Sequence, residues 1–405
     1  MQKSISANLR VPYALAVHDQ EENKRVLAVL NEHRTNTGKE TYEFEERSTK
    51  YFGKKYATMV NSGSSANLLA LELLNLPEGS EVITPLLTFS TTVSPLIKKG
   101  LIPVFADVEE GTYQINISQI EELITKKTKA LMIPLLLGNV PNMEALRKIA
   151  KKHKLFFIED SCDTYGAKFN NKPTGTYSDI TTTSFFGSHI ITAAGNGGMI
   201  LTNNPKWHTR AKILRGWGRN SSIFQESEDI KMRFAKKLGK IPYDAKFVFS
   251  EIGYNFLPSE ISAAFANAQL DKLEKFRKTR VHNFTHLRNF FKKYEKLFVL
   301  PIQDPRANTQ WLAFPLTIKK NAPFTRLDIV SYLEKNNIQT RPIFTGNILK
   351  QPGFTKITHK IYANNCPVTN NIMERGIIVG CHHGMEPRHL EKLERTFENF
   401  LNQYS

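Results

Sequence analysis

The chain has 405 residues, of which 40% are hydrophobic and 23% are charged. This length and composition exclude wholesale disorder and indicate two or three domains, or one large domain with a smaller partner. The three cysteines, Cys162, Cys366 and Cys381, are odd in number and widely spaced. Their spacing argues against a disulfide framework or a CxxC zinc site and favours a reducing, cytoplasmic compartment.

A formal net charge of +17 makes the chain strongly basic. Such a charge can indicate a nucleic-acid or an anionic-membrane partner. The basic residues, however, occur as short pairs and triples along the whole chain, without a basic arm or tail. We therefore interpret the charge as lysines on solvated faces, together with a substrate that carries a nucleotide, and we expect no nucleic-acid partner. The N-terminal sequence lacks the apolar core of a secretory signal, and no run approaches the roughly 18 apolar residues of a membrane span, so we expect no membrane partner.

Short apolar runs alternate with amphipathic stretches through the first half of the chain. The predicted helices are Glu21–Leu30, Ser65–Leu74, Thr91–Lys99, Ile117–Lys126 and Asn142–His153. The predicted strands are Glu81–Pro85, Ile102–Phe105, Ala130–Leu136, Leu155–Ile158, Thr181–Phe186 and Gly198–Thr202. Strands separated by helices of this length are typical of a mostly parallel sheet covered on both faces, so the predicted fold class is α/β.

The pattern changes in the second half of the chain. Residues 220–249 are polar, charged and irregular, which indicates an inserted excursion or lid. Two long helices follow, and then a smaller α+β pattern. These predicted elements are the helices Pro258–Lys278 and Val281–Lys296, the strand Trp311–Ile318, the helix Arg326–Lys335, the strand Gln339–Arg341 and the helix Glu386–Gln403. We therefore divide the chain into a large domain, residues 1–275, and a small C-terminal domain, residues 276–405.

A turn of small residues, NSGSSA at positions 61–66, connects a predicted strand to a predicted helix. The N-terminus of a helix offers unpaired N–H groups and the positive end of the helix dipole, so this turn can bind a phosphate. Ser64 and Ser65 add hydroxyl donors. Serine also caps helices where no ligand binds, and the sequence alone does not decide between these two interpretations.

Two further segments place polar groups at strand ends. Glu159 and Asp160 close an apolar strand, and ligands of open α/β sheets bind at such carboxyl ends. Because neighbouring strand residues face opposite sides of a sheet, only one of these carboxylates is expected to enter a site. Downstream, His189 is the titratable residue of a glycine-rich loop between two strands, which favours a site over a core position.

Six motifs, in order, resemble the sugar aminotransferase and dehydratase group of fold-type-I pyridoxal-phosphate (PLP) enzymes, the DegT/DnrJ/EryC1/StrS type. They are NSGSSAN, TPLLTFSTTVSPLIKKGLIPVFADV, IEDSCDTYGA, SFFGSHIITAAGNGG, GYNFLPSEISAAFANAQL and RPIFTGNILKQPGF. The resemblance covers nearly the whole chain. It implies a large PLP-binding domain with a mostly parallel sheet and a smaller C-terminal α+β domain.

The resemblance implies roles for individual residues. Asp160 matches the aspartate that pairs with the pyridine nitrogen and keeps the ring protonated, so that the ring can accept electrons. Phe89 matches the aromatic residue that stacks on the ring. Asn255 matches a residue that reaches the phosphate from the neighbouring subunit, which implies a homodimer with shared sites. The other implied cofactor-binding residues are Gly63, Ser64, Ser65, Asp163 and Ser184, and the three serines fall at the phosphate.

The sequence departs from the aminotransferase pattern where that pattern has the lysine of the internal Schiff base, because His189 occupies the position. Imidazole has no primary amine, so PLP or its amino form, pyridoxamine phosphate (PMP), would bind without a covalent bond. In this group a histidine here is typical of 3-dehydratases that act on nucleotide-linked 4-keto-6-deoxyhexoses. His189 would remove a proton from C4′ of the cofactor, and the C3 hydroxyl of the sugar would leave. Asp163 is also more like the residue of those dehydratases.

Such dehydratases form two branches. One branch holds an iron–sulfur cluster on four cysteines, mainly in the region after the WG motif. Residues 217–246 contain no cysteine, so we exclude that branch. The other branch is of the GDP-4-keto-6-deoxymannose 3-dehydratase type, from colitose and lipopolysaccharide biosynthesis. It uses L-glutamate as amino donor to regenerate PMP, and it yields a 4-keto-3,6-dideoxyhexose and ammonia.

Three arginines, Arg215, Arg219 and Arg341, are candidates for the substrate pyrophosphate or the glutamate carboxylate, because arginine binds both groups in bidentate fashion. Each can equally be a surface arginine. We expect no metal site, since the adjacent His382 and His383 would not share a face of a strand. The alternatives are a PLP-dependent nucleotide-sugar aminotransferase that works without this lysine or recruits another one, and a non-enzymatic relative that has lost the reaction. The sequence does not identify the nucleotide.

Overall fold

The computed structural model describes residues 9–224, 229–235 and 237–404. The first eight residues of the expected large domain, and residues 225–228 and 236 of the expected excursion, lie outside the described residues. The α-helices in the described chain are α1 Gln20–Asn31, α2 Lys39–Phe52, α3 Gly63–Leu74, α4 Ser90–Lys98, α5 Ile120–Leu123, α6 Met143–Lys152, α7 Pro205–Arg215, α8 Ile230–Arg233, α9 Glu260–Asp271, α10 Leu273–Lys292, α11 Arg326–Lys335, α12 Pro367–Arg375 and α13 Pro387–Leu401. None of these helices is both long enough and apolar enough to cross a membrane.

The strands range from two to seven residues. They are β1 Tyr56–Val60, β2 Glu81–Pro85, β3 Ile102–Ala106, β4 Thr128–Pro134, β5 Phe156–Asp160, β6 Lys168–Phe169, β7 Lys172–Pro173, β8 Ile180–Ser184, β9 Gly198–Thr202, β10 Lys237–Leu238, β11 Ile241–Pro242, β12 Phe298–Val299, β13 Ala307–Asn308, β14 Phe314–Ile318, β15 Lys360–Ile361 and β16 Gly376–Val379. The largest sheet has the order β1-β9-β8-β5-β4-β2-β3-β15. Neighbours from β8 to β15 are parallel, whereas β9 is antiparallel to β1 and β8. The expected α/β class with a mostly parallel sheet is confirmed.

Alternate residues of the central strands pack on opposite faces of this sheet. Along β4, Leu131 and Ile133 belong to one buried cluster, which also contains Met143 and Leu146 of α6. Met132, between them, belongs to the cluster on the other face, with the apolar residues of α3. Because both faces are covered, the strand is apolar at nearly every position, as expected for a buried parallel strand.

A three-stranded antiparallel sheet, β12-β14-β16, lies in the small domain, and the long helix α10 connects it to the large domain. Phe276 of α10 packs in a cluster of the large domain. Phe284, Leu287 and Phe291, further along the helix, pack in the cluster that contains the small sheet. We therefore keep the proposed boundary at residues 275 and 276, and it falls inside α10.

The segment at residues 11–14 packs on the small domain, although it falls within our large domain by sequence. Val11 is fully buried and forms a parallel bridge with Ile338. The Val11 N–H donates to the Asn337 carbonyl at 2.8 Å, and the Gln339 N–H donates to the Val11 carbonyl at 2.9 Å. The segment is thus a short added strand, and backbone pairing of this kind carries little signal in the sequence.

The break between the two long helices differs from the prediction. It lies at Lys272, whereas the sequence predicts it near residues 279 and 280, in the polar stretch RKTR. The helix continues through this stretch because Arg280 is fully buried, while Lys278 faces solvent. A charged side chain in the core is the reverse of what the hydrophobic pattern predicts.

The predicted strand Gln339–Arg341 forms only isolated bridges, at Ile338 with Val11 and at Arg341 with Ile378. The elements α2, α7, α12 and β16 are not among the predictions. The described part of the excursion predicted at residues 220–249 contains α8 and the hairpin β10-β11, and it is closed at its base by backbone hydrogen bonds.

Candidate active site

A cavity of about 680 Å³ opens at the carboxyl ends of β4, β5 and β8. Pro134, Asp160 and Ser184, the last residues of these strands, all line it. Ligands of open α/β sheets bind at this edge. Of the residues expected to form a site, the cavity wall contains Gly63, Ser64, Phe89, Asp160, Asp163, Ser184, His189 and Arg341.

Asp160 is a buried carboxylate in the cavity wall, only 4% exposed. Its Oδ2 accepts hydrogen bonds from Asn67 Nδ2 at 2.8 Å and Thr92 Oγ1 at 2.9 Å, and its Oδ1 accepts from the Cys162 N–H at 3.2 Å. No lysine or arginine of the described residues forms an ion pair with it. A buried charge of this kind needs a partner, so the carboxylate is available to a cation in the cavity. Glu159 does not line the cavity, and hydroxyl groups donate to it.

The N-terminus of α3 forms another part of the wall, at Gly63 and Ser64. Ser62 is the N-cap, and its Oγ accepts the Ser65 N–H at 3.1 Å. A Cβ on Gly63 would lie 2.6 Å from the Ser184 Cβ, so only glycine lets the turn pack this close to the end of β8. The N–H groups of Gly63 and Ser64 have no acceptor within the helix. Capping and phosphate binding can therefore both operate here, through different residues.

His189 lies in the loop between β8 and β9, and it lines the cavity. Its N–H donates to the Phe186 carbonyl at 2.9 Å, and its Nδ1 lies 3.3 Å from the Ser184 carbonyl oxygen. In a neutral ring Nδ1 then carries the proton and donates it, which leaves Nε2 as the basic nitrogen. Burial lowers the pKa of His189 to about 4, so the ring is neutral at pH 7.

Asp163 lies beside the basic nitrogen of His189, with 4.0 Å between Oδ1 and Nε2. The Leu137 N–H donates to the other carboxyl oxygen at 2.9 Å. Leu137 has a left-handed backbone with φ of 60°, which costs about 1–2 kcal/mol for such a residue. Burial, with a smaller contribution from the charge of Asp160, raises the pKa of Asp163 to about 7. This carboxyl group can therefore hold or release a proton near neutral pH.

Two aromatic rings in the cavity wall, Phe89 and Phe186, are exposed although they are apolar. Phe89, the N-cap residue of α4, is 51% exposed and lies edge-on to Phe344, with 6.3 Å between the ring centroids. Phe186 lies edge-on to His189 at 6.0 Å. Such rings offer a flat apolar surface to another ring.

Four of the expected site residues do not line this cavity. Arg215 is buried, pairs with Glu45 at 2.7 Å and donates to the Met59 carbonyl at 2.6 Å. The structure therefore corrects the substrate-binding role that we expected, because the charge of Arg215 is already neutralised inside the large domain. Arg219 also lies elsewhere, with its guanidinium 4.1 Å from the centroid of the Trp217 ring.

The other two residues outside the cavity wall are Ser65 and Asn255. Ser65 Oγ donates to Asn61 Oδ1 at 2.7 Å and so stabilises the turn. Asn255 is exposed, and its backbone forms a bridge with Gly216. Its expected role depends on a second subunit and stays a prediction.

Sequence reasoning missed several residues of the cavity wall, including Tyr13, Ser188, Thr345 and Gln351. Thr345 and Gln351 lie in the motif RPIFTGNILKQPGF, which gave a signal for them, and Ser188 directly precedes His189. Tyr13 lies outside every motif. Its ring is 4.6 Å from the guanidinium of Arg341, and only the packing of the N-terminal segment on the small domain brings it there.

The residues of the wall fit a bound PLP. A helix N-terminus free to bind a phosphate, an unpaired buried carboxylate and an exposed aromatic ring at one cavity match the three parts of the cofactor: its phosphate, its protonated ring nitrogen and its ring face. No lysine lines the cavity in the described part of the chain. No group of three or more His, Cys, Asp or Glu in the described residues is arranged to hold a metal ion, and the expected absence of a metal site stays a prediction.

Residues 17–398 match the model of the DegT/DnrJ/EryC1/StrS aminotransferase family. The chain belongs to this family. The resemblance read from the motifs is therefore confirmed, and so is the dependence of its members on PLP.

Several relatives of this family member are 3-dehydratases by name. The chain is 35% identical to dTDP-4-dehydro-2,6-dideoxy-D-glucose 3-dehydratase of Saccharopolyspora spinosa, over 96% of this chain and 86% of the relative. It is 32% identical to GDP-4-keto-6-deoxy-D-mannose 3-dehydratase of Yersinia pseudotuberculosis, over 92% and 94%.

The fold is also that of a solved 3-dehydratase. The structure of the Escherichia coli GDP-4-keto-6-deoxy-D-mannose-3-dehydratase with bound hydrated PLP superposes with a TM-score of 0.87 at 30% identity, over 96% of this chain and 99% of the other. Two further structures of a GDP-4-keto-6-deoxymannose-3-dehydratase, with TM-scores of 0.85 and 0.86 at 30% identity over 95% and 99% of the two chains, hold GDP-perosamine and a PLP–glutamate geminal diamine.

Because the folded chain keeps several largely buried histidines neutral, we expect it to lose stability in mild acid. Burial lowers the pKa of His189 to about 4, of His382 to about 3 and of His383 to about 2. The unfolded chain binds protons at these rings below a pH of about 6.5, so the stability that they contribute above that pH is lost as the pH decreases towards 4. Asp163, whose pKa burial raises to about 7, acts in the opposite direction over part of this range, but the three histidines outnumber it. Thermal unfolding of the full chain at pH values from about 7.5 to 5 measures this slope. The variant His189→Asn should show a smaller slope than the parent protein, and an equal slope in the two proteins would contradict the lowered pKa of His189.

Proposed function

We propose that this protein is a PLP/PMP-dependent 3-dehydratase of a nucleotide-linked 4-keto-6-deoxyhexose. One observation carries the proposal: the cavity that suits PLP contains the neutral imidazole of His189 and, in the described residues, no lysine. The names of the relatives support the same reaction. The reaction removes the C3 hydroxyl and gives a 4-keto-3,6-dideoxyhexose for polysaccharide synthesis.

The residues that would hold the cofactor are those of the cavity wall. The N–H groups of Gly63 and Ser64 and the hydroxyl groups of Ser64 and Ser184 would bind the phosphate, and Asp160 would bind the protonated ring nitrogen. Phe89 would contact the ring face. When bound, the cofactor supplies an electron sink for the carbon that loses a proton.

His189 would act as the base. Its Nε2 is unprotonated, since Nδ1 faces the Ser184 carbonyl, and the low pKa of the ring leaves it ready to accept a proton at neutral pH. Once protonated, His189 can give the proton to the departing hydroxyl. Asp163, 4.0 Å away, is a second group that can hold that proton, because its pKa is about 7. The two groups together would serve as acid and base in one cavity.

The partners we propose are the nucleotide sugar and L-glutamate. A related enzyme binds GDP-perosamine, and another structure holds a PLP–glutamate adduct. Of the three expected arginines, only Arg341 lines the cavity, where it is exposed and lies over the Tyr13 ring, and this supports Arg341 as the residue that binds the pyrophosphate or the carboxylate. We propose a cytoplasmic location, where the three free cysteines would stay reduced.

The deciding experiment is incubation of the protein with PLP and glutamate and with GDP-, dTDP- or CDP-linked 4-keto-6-deoxyhexoses. We expect a sugar that has lost the C3 oxygen and keeps its C4 ketone, because the unsaturated amino sugar that is released is an enamine, which tautomerises to an imine and is hydrolysed by water to the ketone and ammonia. Mass analysis of the sugar measures this. A stable 4-amino sugar would instead identify an aminotransferase, and failure to bind PLP would indicate a non-enzymatic relative.

The substitution His189→Lys should change both cofactor attachment and reaction. A primary amine at this position can bond to the aldehyde carbon of PLP, so borohydride should fix PLP to the variant but not to the parent protein. Dehydration should fall by ~10²–10⁴-fold, the usual contribution of a general base, and amino transfer should rise. The control is His189→Asn, which should lose dehydration without gaining a covalent adduct. Dehydration at the parental rate in the lysine variant would remove His189 from the role of base.

We further propose that the protein is a homodimer in which Asn255 reaches the site of the neighbouring subunit. Apolar side chains that a lone chain leaves exposed lie near Asn255: Phe247, Phe249 and Ile252 shortly precede it in sequence, and Ile252 is 99% exposed. The exposed Trp217 is close in space, since its N–H donates to the Tyr254 carbonyl at 2.7 Å. Exposed apolar clusters of this kind mark interaction surfaces. A second copy of the chain is the occupant we propose, because Asn255 does not line the cavity of its own chain.

The substitution Ile252→Glu should weaken the dimer, since it places a charge in an apolar interface. Analytical ultracentrifugation should give twice the mass of one chain for the parent protein and a shift towards single chains for the variant. Leu327→Glu, at an exposed leucine of the small domain, should leave the mass unchanged. A parent protein that sediments as single chains would refute the proposed dimer.

A further inference from the structure

Arg280 of α10 is a fully buried cation. Burial lowers the pKa of its guanidinium to about 10, so it stays charged at neutral pH. No carboxylate of the described residues forms an ion pair with it. A buried arginine is usually paired with an acid, and a buried charge without one is costly to keep. Its retention therefore calls for an explanation in terms of what the guanidinium contacts.

The guanidinium donates to neutral acceptors on three separate segments. Nη1 donates to the carbonyls of Trp311 at 3.3 Å and Leu312 at 3.1 Å, and Nε donates to His383 Nδ1 at 3.1 Å. Nη2 lies 3.5 Å from the carbonyl oxygen of His189, a long hydrogen bond. One planar group thus joins α10, the chain before β14, the loop after β16 and the loop that holds His189. Lysine, with a single nitrogen, cannot reach all of these acceptors at once.

The surroundings are suited to a cation without an anion. His383 must be neutral to accept the hydrogen bond, and burial lowers the pKa of His383 to about 2. Its ring is stacked on Phe276, with 3.9 Å between the centroids. Beside it, His382 bonds to the Pro12 carbonyl of the N-terminal segment at 3.1 Å. The same network therefore reaches the segment that carries Tyr13 into the cavity.

Two of the residues that Arg280 contacts, His189 and Leu312, line the cavity, whereas Arg280 itself does not. We propose that Arg280 is a positioning residue: from behind the cavity wall, its guanidinium holds the backbone of His189 in register with Leu312 and so directs the imidazole at the reacting atoms. This proposal rests on the proposed function, because it gives His189 the role of base. A misplacement of about 1 Å at a reacting group can cost ~10²-fold in rate, so a rigid anchor here has a large effect.

The fixed charge of Arg280 also acts on the imidazole. The charged and titratable groups that face His189 are Asp160, Cys162 and Asp163, from β5 and the turn after it, and Arg280, from α10. Burial is the main cause of the lowered pKa of His189, Asp160 opposes it, and the positive charge of Arg280 adds to it. Removal of that charge should therefore raise the pKa of His189.

The test compares Arg280→Lys and Arg280→Met with Arg277→Met, which removes a cation one turn earlier on the same helix without touching the His189 loop. The full chain is labelled with ¹³C-histidine, and NMR follows the titration of His189 with and without added PLP. His189→Asn assigns the signal. The steady-state kcat and KM of dehydration are measured on the same proteins.

We expect kcat to fall ~10–100-fold in both Arg280 variants, with KM changed less than about threefold, because geometry and not substrate binding is lost. The His189 titration should move to higher pH in Arg280→Met and stay in place in Arg280→Lys, which keeps the charge. Arg277→Met should behave as the parent protein. If Arg280→Met does not fold, the kcat and titration of Arg280→Lys still decide.

A parental kcat in Arg280→Lys, or equal losses in the Arg277→Met control, would overturn the proposal. Failure of the proposed function has a different signature. In that case the parent protein would not dehydrate any of the sugars, while the NMR titration would still report whether Arg280 acts on His189.

Discussion

The hydrogen bonds to one buried carboxylate, Asp160, determine the layout of the active site. Asn67, which donates to it, lies on α3, whose N-terminus is placed to bind a phosphate. Thr92, the second donor, lies on α4, whose N-cap residue is Phe89. The carboxylate that we propose as the partner of the ring nitrogen of the cofactor therefore also fixes the elements that we propose for its phosphate and its ring. The three contacts have to form together, since none of the three elements can shift without breaking a bond to the carboxylate.

Much of the fold can be predicted from the sequence, because local pattern and burial agree there. Strands buried on both faces, such as β4, read as continuous apolar runs, and their connecting helices show a helical period. The prediction fails where packing reverses the pattern. The charged Arg280 leads the sequence pattern to predict a break where the structure has a continuous helix. The pairing of Val11 with Ile338 joins two segments whose sequences do not predict it. Such long-range contacts are invisible to local reasoning.

The candidate site divides in the same way. His189, Asp160 and the glycine-rich turn at α3 lie in motifs, so their chemistry and their place at strand ends are readable before the structure. Arg215 was expected to bind substrate because of its residue type alone. Its charge is instead paired with Glu45, which is distant in the chain and which no local pattern connects to Arg215. Tyr13 could not be expected, since its position depends on how the first and last parts of the chain pack.

The packing of the N-terminal segment on the small domain also orders events during synthesis. Val11 pairs with Ile338, and the Pro12 carbonyl bonds to His382, so residues 11 and 12 meet partners that are made more than 300 residues later. The central sheet, built from residues 56–202, can form on the ribosome well before this. The wall of the cavity is completed only after residues 338–382 have been made, because Tyr13 reaches it through this packing, so a chain released before that point would hold His189 in an incomplete site.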